Sequence, residues 1–162
     1  MVSAPDSLIV SLDGIDSDRL LEFWRWLPEE GLSPWFATAL GDLFLKGDDG
    51  RVWWLDVGTG ELQNVAASAD EFEELLRDQD NTDLWFGQAL VDALREFGLT
   101  LGRGECYSYL QLPILGGEYE PGNFRIYDVV THFRVWGPIH ERLKDLPDGA
   151  SVEFVVEEDD SP

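Results

Sequence analysis

The sequence contains one cysteine, Cys106, so an internal disulfide and a metal site built from several cysteines are both excluded. Basic residues are scarce, because 11 lysines and arginines stand against 33 acidic residues, a formal net charge of −22. A chain this acidic has no basic face with which to release phosphate counterions, so nucleic-acid binding is not expected. No apolar run approaches the roughly 20 residues of a membrane span, and no signal-peptide pattern opens the chain. We therefore expect a cytoplasmic protein that binds neither nucleic acid nor membranes.

Bulky apolar residues are abundant. Hydrophobic residues make up 44% and aromatic residues 12% of the chain, with seven tryptophans and nine phenylalanines. That content is too high for a disordered acidic chain. The length of 162 residues fits one domain. We expect a single domain over residues 1–156 and a disordered acidic tail over residues 157–162.

The first third of the chain predicts short elements around a hairpin. Residues 8–12 favour a strand or an extended segment, and a cap at Asp16 or Ser17 opens a helix that Pro28 ends. A second short helix is predicted over residues 34–40, because proline suits a first helical turn.

From residue 42 the apolar period changes to two. Three runs at 43–45, 52–57 and 61–65 are separated by the glycine-rich turns GDDG and GTG, which predicts a three-stranded meander. In the middle strand Trp53, Leu55 and Val57 share one face, and Val52, Trp54 and Asp56 share the other. This mixed second face is either covered by a helix or exposed at an interface.

Helices and strands follow in blocks. A capping box at Ser68 predicts one helix, and a second is predicted over residues 82–97 with Leu84, Trp85 and Phe97 on its inner side. Strands are predicted over 106–112, 124–133 and 152–156, with a turn at 148–149 before the last, and a helix is predicted to open at Pro138. This order predicts an α+β fold with a mainly antiparallel sheet and four to five helices.

Candidate catalytic residues give no reactive pattern. His132 and His140 are eight residues apart, too far for a shared metal on adjacent helical turns, and no ligand motif surrounds them. A Cys106–His140 nucleophile pair remains open, although a cysteine within an apolar strand usually behaves as a small buried hydrophobe. The glycines around Arg103 lack the spacing of a phosphate-binding loop. We predict no catalytic residue, no metal site and no cofactor.

Two acidic turns are the candidate partner-binding segments. The hairpin tip carries Asp48 and Asp49, and the turn at 118–120 carries Glu118, Tyr119 and Glu120. Tyrosine is an amphipathic anchor of the kind that concentrates binding energy.

Among the seven tryptophans most must lie in the core. We expect Trp54 to be exposed and to contact the partner.

Several segments recur in the order of a known family. They are GDLFL (41–45), DG (49–50), LDVGTGEL (55–62), LGRGECYSY (101–109), PILGGEY (113–119), IHE (139–141) and KDLPDG (144–149). Together they resemble the C-terminal domain of the type VI secretion immunity proteins of the Tdi type over residues 16–156, and more distantly the Smi/Knr-like immunity superfamily. The resemblance implies a non-catalytic bacterial protein that binds and neutralises a cognate toxin, in some members a DNase.

Composition leaves other functions open. The acidic surplus fits a basic antagonist such as a nuclease, whose phosphate-binding groove the carboxylates would occupy. It also fits a host whose proteins are generally acidic, in which case the chain is a scaffold or a regulatory interaction domain. An enzyme of unrecognised type is the third alternative.

Overall fold

The computed structural model describes residues 4–146. Its strands are β1 (Ile9–Val10), β2 (Leu32–Thr38), β3 (Leu43–Gly47), β4 (Val52–Asp56), β5 (Glu61–Ala66), β6 (Glu105–Tyr109) and β7 (Phe124–Asp128). Its α-helices are α1 (Ser17–Leu21), α2 (Ala69–Leu75), α3 (Gln79–Phe86), α4 (Gln88–Glu96) and α5 (Val129–Leu143).

The strands form two antiparallel sheets. The larger has the order β1-β2-β3-β4-β5, so each strand pairs with its neighbour in sequence, and β6 pairs with β7 in a separate ribbon. The predicted meander is β3, β4 and β5, and the structure extends it by two strands. The predicted α+β fold with a mainly antiparallel sheet is confirmed.

The helix predicted over residues 34–40 is wrong, because residues 34–38 belong to β2 and residues 39–40 form a turn. Phe36 pairs with Phe44 of β3, and their rings stack with centroids 4.9 Å apart. Burial of two aromatic rings across a strand pair outweighs the local signal of Pro34 for a first helical turn.

The first predicted helix is shorter than expected. Asp16 caps α1 by accepting a hydrogen bond from the Asp18 N–H, but the helix ends at Leu21 rather than near Pro28. Isolated turns continue the chain, and Trp24 is still buried.

The helix predicted over residues 82–97 is two helices, because Gly87 adopts a left-handed conformation (φ +59°) between α3 and α4. Trp85 is buried as predicted, whereas Leu84 and Phe97 are 64% and 63% exposed, contrary to prediction.

The strand predicted over 124–133 ends at Asp128. The Asp128 side chain accepts a hydrogen bond from the Thr131 N–H and thereby caps α5, so Pro138 lies inside this helix and does not open it. One face of α5 is buried, and this burial overrides the strand preference of Val129 and Val130. The predicted strand at 152–156 and turn at 148–149 lie outside the described residues.

An aromatic cluster fills the core between the large sheet and the helices. Its rings lie at centroid distances of 4.9 to 6.4 Å and belong to Trp35, Phe36, Phe44, Phe72, Trp85 and Phe86. A second group forms where α1 meets α5, with Trp24 against Phe133. Among residues 4–146, no helix is both long and apolar enough to cross a membrane.

Candidate functional site

The hairpin tip between β3 and β4 is exposed, as the sequence predicts. Asp48 and Asp49 both project from it, and Asp49 accepts a hydrogen bond from the Arg51 N–H and forms an ion pair with the Arg51 guanidinium at 3.3 Å. One carboxylate of the tip is therefore partly neutralised, while no ion pair involves Asp48 within the described chain.

A shallow acidic groove borders this tip. The cavity of about 210 Å³ is lined by Glu29, Glu30, Leu32, Gly47, Asp48, Asp49, Arg51 and Trp53. Four carboxylates and one guanidinium give the groove a net negative charge. Sequence reasoning missed Glu29 and Glu30, because only the packing of the turn before β2 against the hairpin brings them to the tip.

The second acidic turn is also exposed. Glu118 and Glu120 face solvent, and Tyr119 is 57% exposed with its ring edge-on to Tyr109 at 6.4 Å. Burial of the hydroxyl, with the negative charge of Asp56 added, raises the pKa of Tyr119 to about 12. The phenol therefore stays protonated at neutral pH.

The structure does not bring the two acidic turns together. The hairpin tip precedes β4, whereas the loop that carries Tyr119 is bonded beyond the other end of β4, where the Ile114 N–H donates to the Gly58 carbonyl at 3.2 Å. Five strand residues at about 3.3 Å each separate the two ends by about 16 Å. The two turns are therefore distinct candidate surfaces.

The expectation that Trp54 is exposed and contacts a partner is wrong. It is 5% exposed in the middle of β4, and its Nε1–H donates to Asp42 Oδ2 at 3.2 Å. Both faces of β4 are covered, so a position that alternation assigns to the polar face is buried as well.

Asp42 holds the turn that follows β4. Its Oδ1 accepts a hydrogen bond from the Val57 N–H at 3.1 Å, while its Oδ2 accepts that of Trp54. Burial raises the pKa of Asp42 well above the usual aspartate range, the charge of Asp56 raises it further, and the two hydrogen bonds oppose the shift. This residue was not singled out in the sequence, where it is one of 33 acidic residues.

His132 forms a buried hydrogen-bond chain with Ser108. Since the Gly41 carbonyl can only accept, His132 Nε2 carries the hydrogen and donates to it at 2.7 Å. His132 Nδ1 then accepts from the Ser108 hydroxyl at 2.7 Å, and Ser108 Oγ accepts from Trp136 Nε1–H at 2.9 Å. Burial lowers the pKa of His132 to about 4.

This pair has the bonding pattern of a nucleophile and its base, but it cannot reach a substrate. Ser108 and His132 are both 0% exposed, and every polar atom of the two side chains has a partner within the fold. A catalytic pair needs an open position beside the nucleophile. The arrangement is therefore structural.

His140 links the C-terminal end of α5 to the turn that follows β4. Its Nε2–H donates to the Val57 carbonyl at 2.6 Å, and burial lowers its pKa. The imidazole also packs against Gly60, where a Cβ would lie 2.6 Å from Nδ1. Glycine is required there by this approach and by its φ of +77°.

Asp42, Ser108, His132 and His140 form what we call the polar junction. It joins α5 and β6 to the turns at one end of the large sheet, and the segments GDLFL, LDVGTGEL and LGRGECYSY converge on it. The motifs thus specify how two parts of the fold meet.

Cys106 is not an activated nucleophile. It is fully buried in β6, and burial, with the nearby negative charges, raises the pKa of its thiol well above the usual value. The described residues contain no group of three or more side chains suited to hold a metal ion.

Residues 66–140 match the family model described as T6SS immunity protein Tdi1, C-terminal. The resemblance predicted from the sequence is thereby confirmed, over a shorter range than the expected 16–156. Immunity proteins of this kind are generally non-catalytic, which agrees with the prediction that the chain is not an enzyme. No curated protein matches the chain.

Among solved structures the chain is similar to the protein described as Atu4351 from Agrobacterium tumefaciens. The TM-score is 0.51 and the identity is 14%, with 75% of this chain and 62% of that chain covered. At this identity the likeness is one of fold. This chain spans less than two thirds of that protein's length.

Proposed function

Since residues 66–140 carry the sequence signature of the Tdi1 C-terminal family, we propose that this protein is an immunity protein that binds a cognate toxin in the cytoplasm and blocks it. The family match is the observation that carries the proposal. Burial supports it as well, because Ser108, His132 and His140 are buried and hydrogen-bonded in the polar junction and Cys106 is buried in β6.

We infer further that the toxin has a basic surface, as a nuclease does. The chain carries a net charge of −22, and the groove beside Asp48 and Asp49 and the turn at Glu118 and Glu120 present carboxylates to solvent. Carboxylates set in the phosphate-binding groove of a nuclease would exclude its substrate, and opposite charges would accelerate encounter.

The proposal is tested with a toxin taken from the genes that neighbour this one, because an immunity protein is encoded next to its toxin. The toxin is expressed in a bacterial host with and without this protein, and growth is recorded. Protection, together with a complex that survives gel filtration, is the expected result. Continued killing in cells that contain folded protein, with no complex, would contradict an immunity role.

The charge component has a matched test. Three double substitutions each remove two carboxylates: Asp48→Asn with Asp49→Asn, Glu118→Gln with Glu120→Gln, and Asp92→Asn with Glu96→Gln on α4 as the control. Either of the first two should slow association more than the control does, and the effect should shrink as the Debye length falls below about 10 Å. Equal slowing by all three would show that only net charge matters.

A further inference from the structure

Three large apolar side chains are exposed on one loop. The loop of residues 110–123 joins β6 to β7, and its Leu110, Ile114 and Tyr119 are 56%, 51% and 57% exposed. It contains no lysine or arginine, and its charged residues are Glu118 and Glu120. We call this segment the platform loop.

Side-chain hydrogen bonds fix the shape of the platform loop. Asn123 Oδ1 accepts from the Gln111 N–H at 2.9 Å, and Asn123 Nδ2 donates to the carbonyls of Gln111 and Glu118 at 2.8 and 3.0 Å. Gln111 Nε2 donates to the Leu115 carbonyl at 2.7 Å. The loop is closed on itself by two amide side chains, so a partner would meet an ordered surface.

The base of the platform loop is fastened to the core. The Ile114 N–H bonds to the Gly58 carbonyl, and the exposed Tyr119 ring rests against the buried Tyr109. The structure thus presents these apolar side chains to solvent on a loop whose backbone is ordered. Their exposure costs free energy unless another surface covers them.

We propose that the platform loop is the surface on which the toxin docks, with Leu110, Ile114 and Tyr119 buried against an apolar patch of the toxin that is flanked by lysine or arginine. This inference rests on the proposed function. Apolar anchors with a charged rim are the usual anatomy of a protein interface, and the negative rim selects a positive partner.

The position of the loop agrees with this assignment. The platform loop lies inside the range 66–140 that matches the immunity family, whereas the hairpin tip at Asp48 and Asp49 lies outside it. The rim carboxylates act mainly on the association rate, and the desolvated apolar contacts act mainly on the dissociation rate.

The test measures both rates with the purified toxin of the adjacent gene as the probe. Ile114→Ala and Tyr119→Ala are compared with Leu84→Ala and Phe97→Ala, which remove side chains of 64% and 63% exposure elsewhere. Each platform substitution should speed dissociation by about tenfold or more, as interface anchors do, and leave the association rate within about threefold. The two controls should leave both rates within about twofold of the unmodified protein.

Folding is monitored by the thermal midpoint of each variant. Should Tyr119→Ala lower it, because that ring touches Tyr109, then Ile114→Ala and Leu110→Ala decide the question. Unchanged dissociation of these variants from a toxin that the unmodified protein still binds would overturn the inference and leave the proposed function intact. Faster dissociation on replacing Asp48 and Asp49 alone would also overturn it, in favour of the acidic groove.

Two further outcomes would contradict the proposal that the toxin docks on the platform loop. A concentration-dependent dimer of the free protein that Ile114→Ala abolishes would show that a second copy covers the loop. A protein that neither protects cells nor binds the toxin would overturn both the proposed function and the docking surface. If the protein protects cells in the growth assay but the platform-loop substitutions leave dissociation unchanged, only the docking surface is overturned.

Discussion

Replacing His132 by glutamine should change how the stability of the protein depends on pH. The folded imidazole has a pKa near 4, because burial disfavours the charged form, whereas an unfolded histidine titrates near 6.5. The folded state therefore binds fewer protons than the unfolded state below pH 6.5. The contribution of His132 to stability is complete above that pH and declines as the pH falls toward 4.

The magnitude follows from the two pKa values. The folded pKa is near 4 and the unfolded pKa is near 6.5, so the unfolded state binds the proton more tightly. Protonation of His132 in the unfolded state therefore lowers the free energy of unfolding by about 2 kcal/mol at pH 5 and by about 3 kcal/mol at pH 4. Glutamine cannot titrate, and it keeps an amide that can donate to the Gly41 carbonyl. The variant should be less stable by about 1–3 kcal/mol at pH 7.5, since the bond with Ser108 is lost or distorted.

The assay is urea unfolding of both proteins at several pH values from 7.5 to 5, which stays above the sequence pI of about 4.1. The stability difference between the unmodified protein and the variant should shrink by about 2 kcal/mol over this range. Asp42 has a raised pKa in the fold, so its own contribution improves as the pH falls, but it is present in both proteins and cancels in the difference.

A stability difference that stays constant from pH 7.5 to 5 would refute the reasoning. An independent check is available because the chain has only two histidines, so the ring protons can be followed by NMR. His132 should not titrate above pH 5. A midpoint near 6.5 would mean that the imidazole is solvated and that the polar junction is open.

Three further substitutions test the packing of the fold. Trp24→Ala should cost about 3–5 kcal/mol in urea unfolding, because the indole is 1% exposed and donates to the Phe133 carbonyl, whereas Phe97→Ala at a 63% exposed position should change stability by about 0.5 kcal/mol or less. Gly87→Ala should lower the thermal midpoint more than Gly50→Ala does. Both glycines have positive φ, but a Cβ at Gly87 would lie 2.5 Å from the Leu40 side chain, whereas a Cβ at Gly50 meets no atom within 4 Å. Equal losses in the two variants would mean that Leu40 moves aside freely. Ser68→Ala should cost about 1 kcal/mol by removing the cap of α2, and Ser68→Asp should restore most of it.

Much of the candidate site could be located from local chemistry. Asp-Gly at a hairpin tip is exposed wherever the two strands pair, and this correctly placed Asp48 and Asp49 on the surface. Glu118 and Tyr119 follow two glycines and were placed in a turn for the same reason. Exposure is a local property of turns, so one sequence suffices to predict it.

Local sequence does not show which exposed segments lie next to each other in space. Glu29 and Glu30 join the hairpin tip only through the packing of the turn before β2, and the two predicted acidic turns lie at opposite ends of β4. Trp54 was misplaced because alternation along a strand identifies two faces but does not show whether each is covered.

The sequence by itself determined the meander of β3, β4 and β5, the cap at Ser68 and the α+β class, because these depend on periodicity and on hydrogen bonds between residues a few positions apart. Only the tertiary structure decided that residues 34–38 lie in β2, that α5 begins at Val129, and that Ser108, His132 and Asp42 meet in one junction. The junction depends on partners 24 to 91 residues away, as in the bonds from His132 to Ser108 and to Gly41. Burial against such distant partners outweighs local preferences of a few tenths to about 1 kcal/mol per residue.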